Sequence, residues 1–124
     1  MKTIAECLIP YRTFLKEEQT RIAGEIQTLE SQHCQDDANL LKIRLNIFEV
    51  FETVAEADEK QCTDWTAFCA RYEPRFETLT APWRSRLASA VRNSDTKTRL
   101  IEEIKLSTAQ KLKEVFEKQK EQQP

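Results

Sequence analysis

Four cysteines, a single histidine and a set of arginines are the side chains here best equipped for chemistry, and their spacing decides how much they can do. Cys7, Cys34, Cys62 and Cys69 contain no C-x-x-C pair and match no zinc-ligand spacing, which disfavours a thiolate metal centre. Cys62 and Cys69 stand two helical turns apart, and a bundle could bring Cys7 to them at one end as a three-thiol metal or redox site. Separate, inert thiols are the preferred reading. Glu30 and His33 have the Glu-x-x-His spacing with which di-metal bundles point two ligands inward from one helix. Such a centre wants two copies, and the chain holds no second histidine. His33 is read instead as a favourable contact with a helix C-terminus, and no cofactor or metal is expected.

The basic residues are unevenly spread. Residues 71–99 carry Arg71, Arg75, Arg84, Arg86, Arg92, Lys97 and Arg99 against Glu73, Glu77 and Asp95, a local charge of +4 in a chain of net charge −2, so the remainder carries −6. Arginines beside Trp83 could meet phosphates or stack on bases, but helical phase sends them to both flanks of the apolar stripe rather than into one patch. An acidic protein surface, including that of another copy of the chain, suits them better. Arg71, Arg75, Arg84, Arg86 and Arg92 are therefore the candidate interaction surface.

The elements that must position these groups are helices. One glycine in 124 residues, Gly24, leaves almost no position suited to phosphate-cradling loops, tight hairpins or nucleophile elbows. With one histidine as well, no nucleophile, base and oxyanion set can be assembled, and the chain is read as a non-enzyme. The length suits one domain, and 40% hydrophobic with 32% charged residues is a globular composition. Glu6 interrupts what would be the apolar core of a signal peptide, and no apolar run reaches membrane-spanning length, so a cytoplasmic protein with reduced thiols and no membrane partner is expected.

Apolar spacing predicts four principal helices in an all-α, single-domain bundle covering 1–116, with 117–124 a polar tail that frays. The first carries Ile4, Leu8, Tyr11, Leu15, Ile22, Ile26 and Leu29 behind a Thr3–Glu6 capping box, with Pro10 marking either a kink or a fresh start. The second, about 37–59, has two apolar seams and an acidic row, Glu49, Glu52, Glu56 and Glu59, expected to face water. The third carries Trp65, Phe68, Tyr72, Phe76, Leu79, Trp83 and Leu87 through Pro74 and Pro82, and so should be kinked or segmented, with a restart near residue 81. The fourth, begun by Ser94 or Asp95, has a narrow seam at Ile101, Ile104, Thr108, Leu112 and Val115 and the weakest expected hold on the core. Trp65, Phe68, Cys69 and Tyr72, with Ala81 and Ala88, resemble the opening of a tetratricopeptide repeat. Pro74 falls inside that motif's first helix, Ser85 replaces a large apolar residue and no second repeat occurs, so no family is assigned.

If the first two helices form an antiparallel hairpin turning near Gln35, paired positions sum to about 70. That register places Arg12 by Asp58, Ile22 by Phe48, Glu25 by Arg44 and Cys7 by Cys62. Arg44 lies within an apolar arc and needs either Glu25 or a route to water along its own stem. These features describe a non-catalytic interaction or structural module with a protein partner or a second copy of itself. The alternative is a small-molecule- or metal-holding bundle with an interior pocket near Trp65, Tyr72, Phe76 and Trp83, and nucleic-acid association is the lesser alternative.

Overall fold

A computed structural model describes residues 2–123, and among them it contains helices and no strand. Three long helices, α1 (Ile4–Ser31), α2 (Gln35–Lys60) and α6 (Thr96–Glu121), are joined by a segmented third unit made of α3 (Trp65–Tyr72), α4 (Arg75–Thr78) and α5 (Ala81–Arg92). The fold is thus an all-α bundle whose third helix is broken at the two prolines. Pro74 is the residue before α4, and Pro82 sits in the first turn of α5, where its missing N–H leaves no intrahelical bond unmade. Thr80 does not cap α5; its hydroxyl turns back to the carbonyl oxygens of Phe76 at 2.6 Å and Glu77 at 3.2 Å.

The other starts follow local chemistry. Thr3 and Glu6 form the reciprocal capping box, Asp64 accepts from the Ala67 N–H, and Asp95 accepts from the Thr98 N–H. The hydrogen bonds from Thr98 pull the Asp95 carboxyl below its ordinary range. Helix α1 continues through Pro10, whose ring lies on the exposed side. Two helices end in the same way without glycine. His33 and Ser94 take positive φ, 61° and 54°. Behind them the Cys34 N–H reaches the Leu29 carbonyl at 2.8 Å, and the Asp95 N–H reaches that of Ala90 at 2.9 Å. Both are Schellman closures.

Helices α1 and α2 form the expected hairpin. Arg12 pairs with Glu59, Lys16 with Glu52 and Lys42 with Glu30, positions summing to 68–72. The acidic row of α2 is consequently divided: Glu49 and Glu56 are exposed, but Glu52 and Glu59 are half-buried against α1. Asp58 turns away from Arg12 into the bundle, and Glu25 pairs with Arg21, four residues earlier, rather than with Arg44. The Arg44 guanidinium lies 6.0 Å from the centre of the Phe48 ring, with its Nε buried and unpartnered.

Helix α6 is central rather than peripheral. It packs along both α2 and α5 and also touches α1 and α4. Its anchor is Phe116, whose ring meets Tyr11 and Tyr72 at 5.1 Å and Phe76 at 6.2 Å between centroids. The stretch expected to fray from residue 117 remains helical to Glu121, with Lys120 paired to Glu73 and the Gln123 amide donating to the Cys7 carbonyl at 3.4 Å. Long polar side chains secure a segment that has little apolar surface to bury.

Candidate interaction surface

The bundle has two unlike ends. At one, the start of α1, the end of α2, α3, α4 and the end of α6 enclose Tyr11, Phe51, Phe68, Tyr72, Phe76 and Phe116, all buried. Tyr72 donates to the Phe51 carbonyl at 3.3 Å, which leaves the Tyr11 hydroxyl to donate to the Tyr72 oxygen at 2.7 Å. Burial raises the pKa of both phenols well above the ordinary value. Of the aromatic stripe that could line a ligand pocket, Trp65, Tyr72 and Phe76 are packed ring against ring: Tyr72 is wholly buried and Phe51 stacks on Phe76 at 4.8 Å, while the centre of the Trp83 ring lies 5.9 Å from the Lys105 ammonium. Two of that set border surface hollows: Trp65 shares one with Cys69, Glu73 and Lys120, and Phe76 shares another with Thr80, Arg84 and Lys113.

The five candidate arginines do not converge. Arg71 and Arg75 close on the carboxylate of Asp58, which is 1% exposed: Arg71 Nε lies 2.9 Å from Oδ1, Arg75 Nη2 2.9 Å from Oδ1 and Arg75 Nε 3.2 Å from Oδ2. This clamp ties α2 to α3 and α4, and the hydrogen bonds that Arg75 donates to Asp58 raise its pKa further. Arg84 is held by Glu77, at 2.9 Å, and by Thr80. Arg86 pairs at 2.7 Å with Glu102, a carboxylate only 2% exposed on α6 that also meets Lys105 at 3.3 Å. Arg92, near the end of α5, is exposed and enters no ion pair among the described residues. Four of the five are therefore engaged within the chain, in three separate groups.

The thiols and the histidine are placed as follows. All four cysteines are free, Cys7 and Cys69 buried, Cys34 and Cys62 half-buried. Burial pushes the Cys69 thiol up to about 11, against the opposing charge of Lys120. No group of three or more His, Cys, Asp or Glu among the described residues is arranged to hold a metal ion. His33 lies beyond the end of α1 with positive φ, and Glu30 pairs with Lys42, so the Glu-x-x-His spacing does not put two ligands on one helix face.

The other end is open. Between Ala81 and Ser107 only Ala90 and Glu102 are buried, and α5 packs chiefly on α6. The first turns of α2 and α6 run side by side in the same direction and leave a groove of about 390 Å³ between them. Leu40, Ile43 and Ile101 form its half-buried floor and Leu100, 45% exposed, stands at its edge. Asp36 on α2 and Lys97 on α6 border it; both are exposed and neither is in an ion pair among the described residues. Val91, 53% exposed, adds a second large apolar side chain at the same end.

Sequence reasoning placed Lys97 with the basic set but did not join it to Asp36, because the groove exists only once two helices distant in sequence lie parallel. Asp58 and Glu102 were missed as buried anchors for the same reason, although each falls at a core-facing helical position that signals a partner is required. No described helix is long and apolar enough to cross a membrane. No family model, curated protein or solved structure matches this chain.

Proposed function

We propose that this chain is a non-catalytic interaction module that associates with itself through the open end of the bundle. The observation that carries this reading is the groove between α2 and α6, where Leu40, Ile43, Leu100 and Ile101 present a connected apolar strip that no other helix of the chain covers. Scattered exposed apolar residues need no explanation, but a connected strip with polar borders is the surface that association uses. The arginines support the reading less directly: with Arg71, Arg75 and Arg86 committed to buried carboxylates and Arg84 to the exposed Glu77 of the same chain, Arg92 is the member left for a partner.

The test is sedimentation equilibrium under reducing conditions, carried to submillimolar concentration, on the native chain and on Leu100→Glu. Concentration-dependent dimer formation by the native chain, abolished in the variant while its helical circular dichroism is unchanged, is the expected result. A native chain that stays monomeric throughout overturns the proposal. A dimer indifferent to Leu100→Glu moves the interface elsewhere and overturns the assignment of this face.

A further inference from the structure

The borders of the groove specify how two copies would meet, an inference that rests on the reading above. Asp36 stands on the α2 side and Lys97 on the α6 side, both in the first turns of parallel helices and both exposed. A partner surface of one charge sign would be attracted by one border and repelled by the other. A matching partner must offer both signs in reversed order across an apolar strip, and a second copy related by a two-fold axis along the groove offers that arrangement by symmetry. We propose that the chain forms an isologous dimer in which α2 of each copy lies over α6 of the other, so that Asp36 of one faces Lys97 of the next, twice, around the apolar strip of Leu40, Ile43, Leu100 and Ile101.

The nearest alternative is a two-fold axis across the groove, which lays α2 on α2 and α6 on α6. That arrangement sets like-charged borders on each other and gains nothing from the charge order. The contact is small and polar-rimmed, which fits a reversible dimer rather than an obligate one.

Charge reversal separates the two arrangements. In the proposed dimer Asp36→Lys and Lys97→Glu each turn two attractions into two repulsions and should raise the dissociation constant by about tenfold or more, since exposed pairs are individually weak and two change sign together. The double variant, carrying both changes in one chain, restores opposite charges at both contacts and should return close to the native dissociation constant. Mixing the two single variants should give a heterodimer tighter than either homodimer. Sedimentation and native mass spectrometry read all four samples, with circular dichroism checking the fold of each. Single variants that dimerise as the native chain does, or a double variant no tighter than the singles, overturn this orientation. If that happens while Leu100→Glu still dissolves the dimer, the groove remains the interface and only its geometry is wrong; a monomeric native chain removes both.

Discussion

The two ends of this bundle are built from the same helices and solve the packing problem differently. At the closed end, chain segments from α1, α2, α3, α4 and α6 surround Phe116, and six aromatic side chains fill the interior. Its buried charge, Asp58, has both carboxylate oxygens engaged by two arginines. At the open end α5 and the first half of α6 contribute almost no dry core, and the buried charge there, Glu102, has one oxygen paired and Oε2 without a partner. Unpartnered buried atoms are not confined to that half, since Gln119 Oε1 and Gln123 Oε1 also lack partners near the closed end. What differs is apolar burial by α5 and the first half of α6, since α1 and α2 stay buried at that end through Ile22, Ile26 and Ala38, and this is an arrangement in which stability and association occupy separate parts of the molecule.

The largest effect that tests this division is truncation of the central ring. Phe116→Ala should cost about 3–5 kcal/mol by combining lost transfer energy with an unfilled cavity among five rings, whereas Ile101→Ala, which removes a half-buried side chain at the open end, should cost about 1 kcal/mol. Urea titrations of both variants give the ratio directly. Equal losses would mean that the ends share one cooperative core.

A second comparison sets the two buried carboxylates against each other. Asp58→Asn removes the charge that holds Arg71 and Arg75, and because both arginines are partly exposed and rehydrate, the expected loss is about 1.5–3 kcal/mol, the worth of charge-assisted hydrogen bonds. Glu102→Met replaces an incompletely satisfied carboxylate by an apolar side chain of similar length, and a change within about 1 kcal/mol of zero, of either sign, is expected. Chemical denaturation at neutral pH measures each. A costly Glu102→Met would show that Arg86, through Glu102, binds α5 to α6 as firmly as the Asp58 clamp binds α2 to α3 and α4.

The difference between the ends also explains what could be read from the sequence. Helix identity, the Thr3–Glu6 cap, the break at Pro82 and the hairpin register follow from local spacing and cap chemistry, which act over a turn or two. The role of Phe116 did not follow, because its neighbours Tyr11, Phe68, Tyr72 and Phe76 are brought to it by packing between distant segments. The arginine set was legible as a charge excess but not as a surface. Asp58 and Glu102 lie in other helices, and their capture of Arg71, Arg75 and Arg86 is a tertiary event. The pairing of Arg44 with Glu25 failed because Arg21, one turn from Glu25 on the same helix, reaches that carboxylate without crossing the hairpin.

The smallest expected effect arises where the open end is closed off. His33 and Ser94 terminate α1 and α5 in the left-handed region, in the two turns that lead into α2 and α6 beside the groove. An L side chain pays a steric penalty there that glycine avoids, while glycine adds conformational freedom to the unfolded chain; at a Schellman position the first term wins. His33→Gly and Ser94→Gly should each therefore stabilise the protein, by about 0.5–1 kcal/mol, and together nearly additively, because the turns share no partner. Thermal unfolding reads the total, and amide hydrogen exchange reads where it acts. Under the proposed division, protection should rise mainly at the ends of α1 and α5 and the first turns of α2 and α6, with Tyr72 and Phe116 unchanged. A rise spread evenly to the aromatic end would instead join the two ends into a single unit of unfolding.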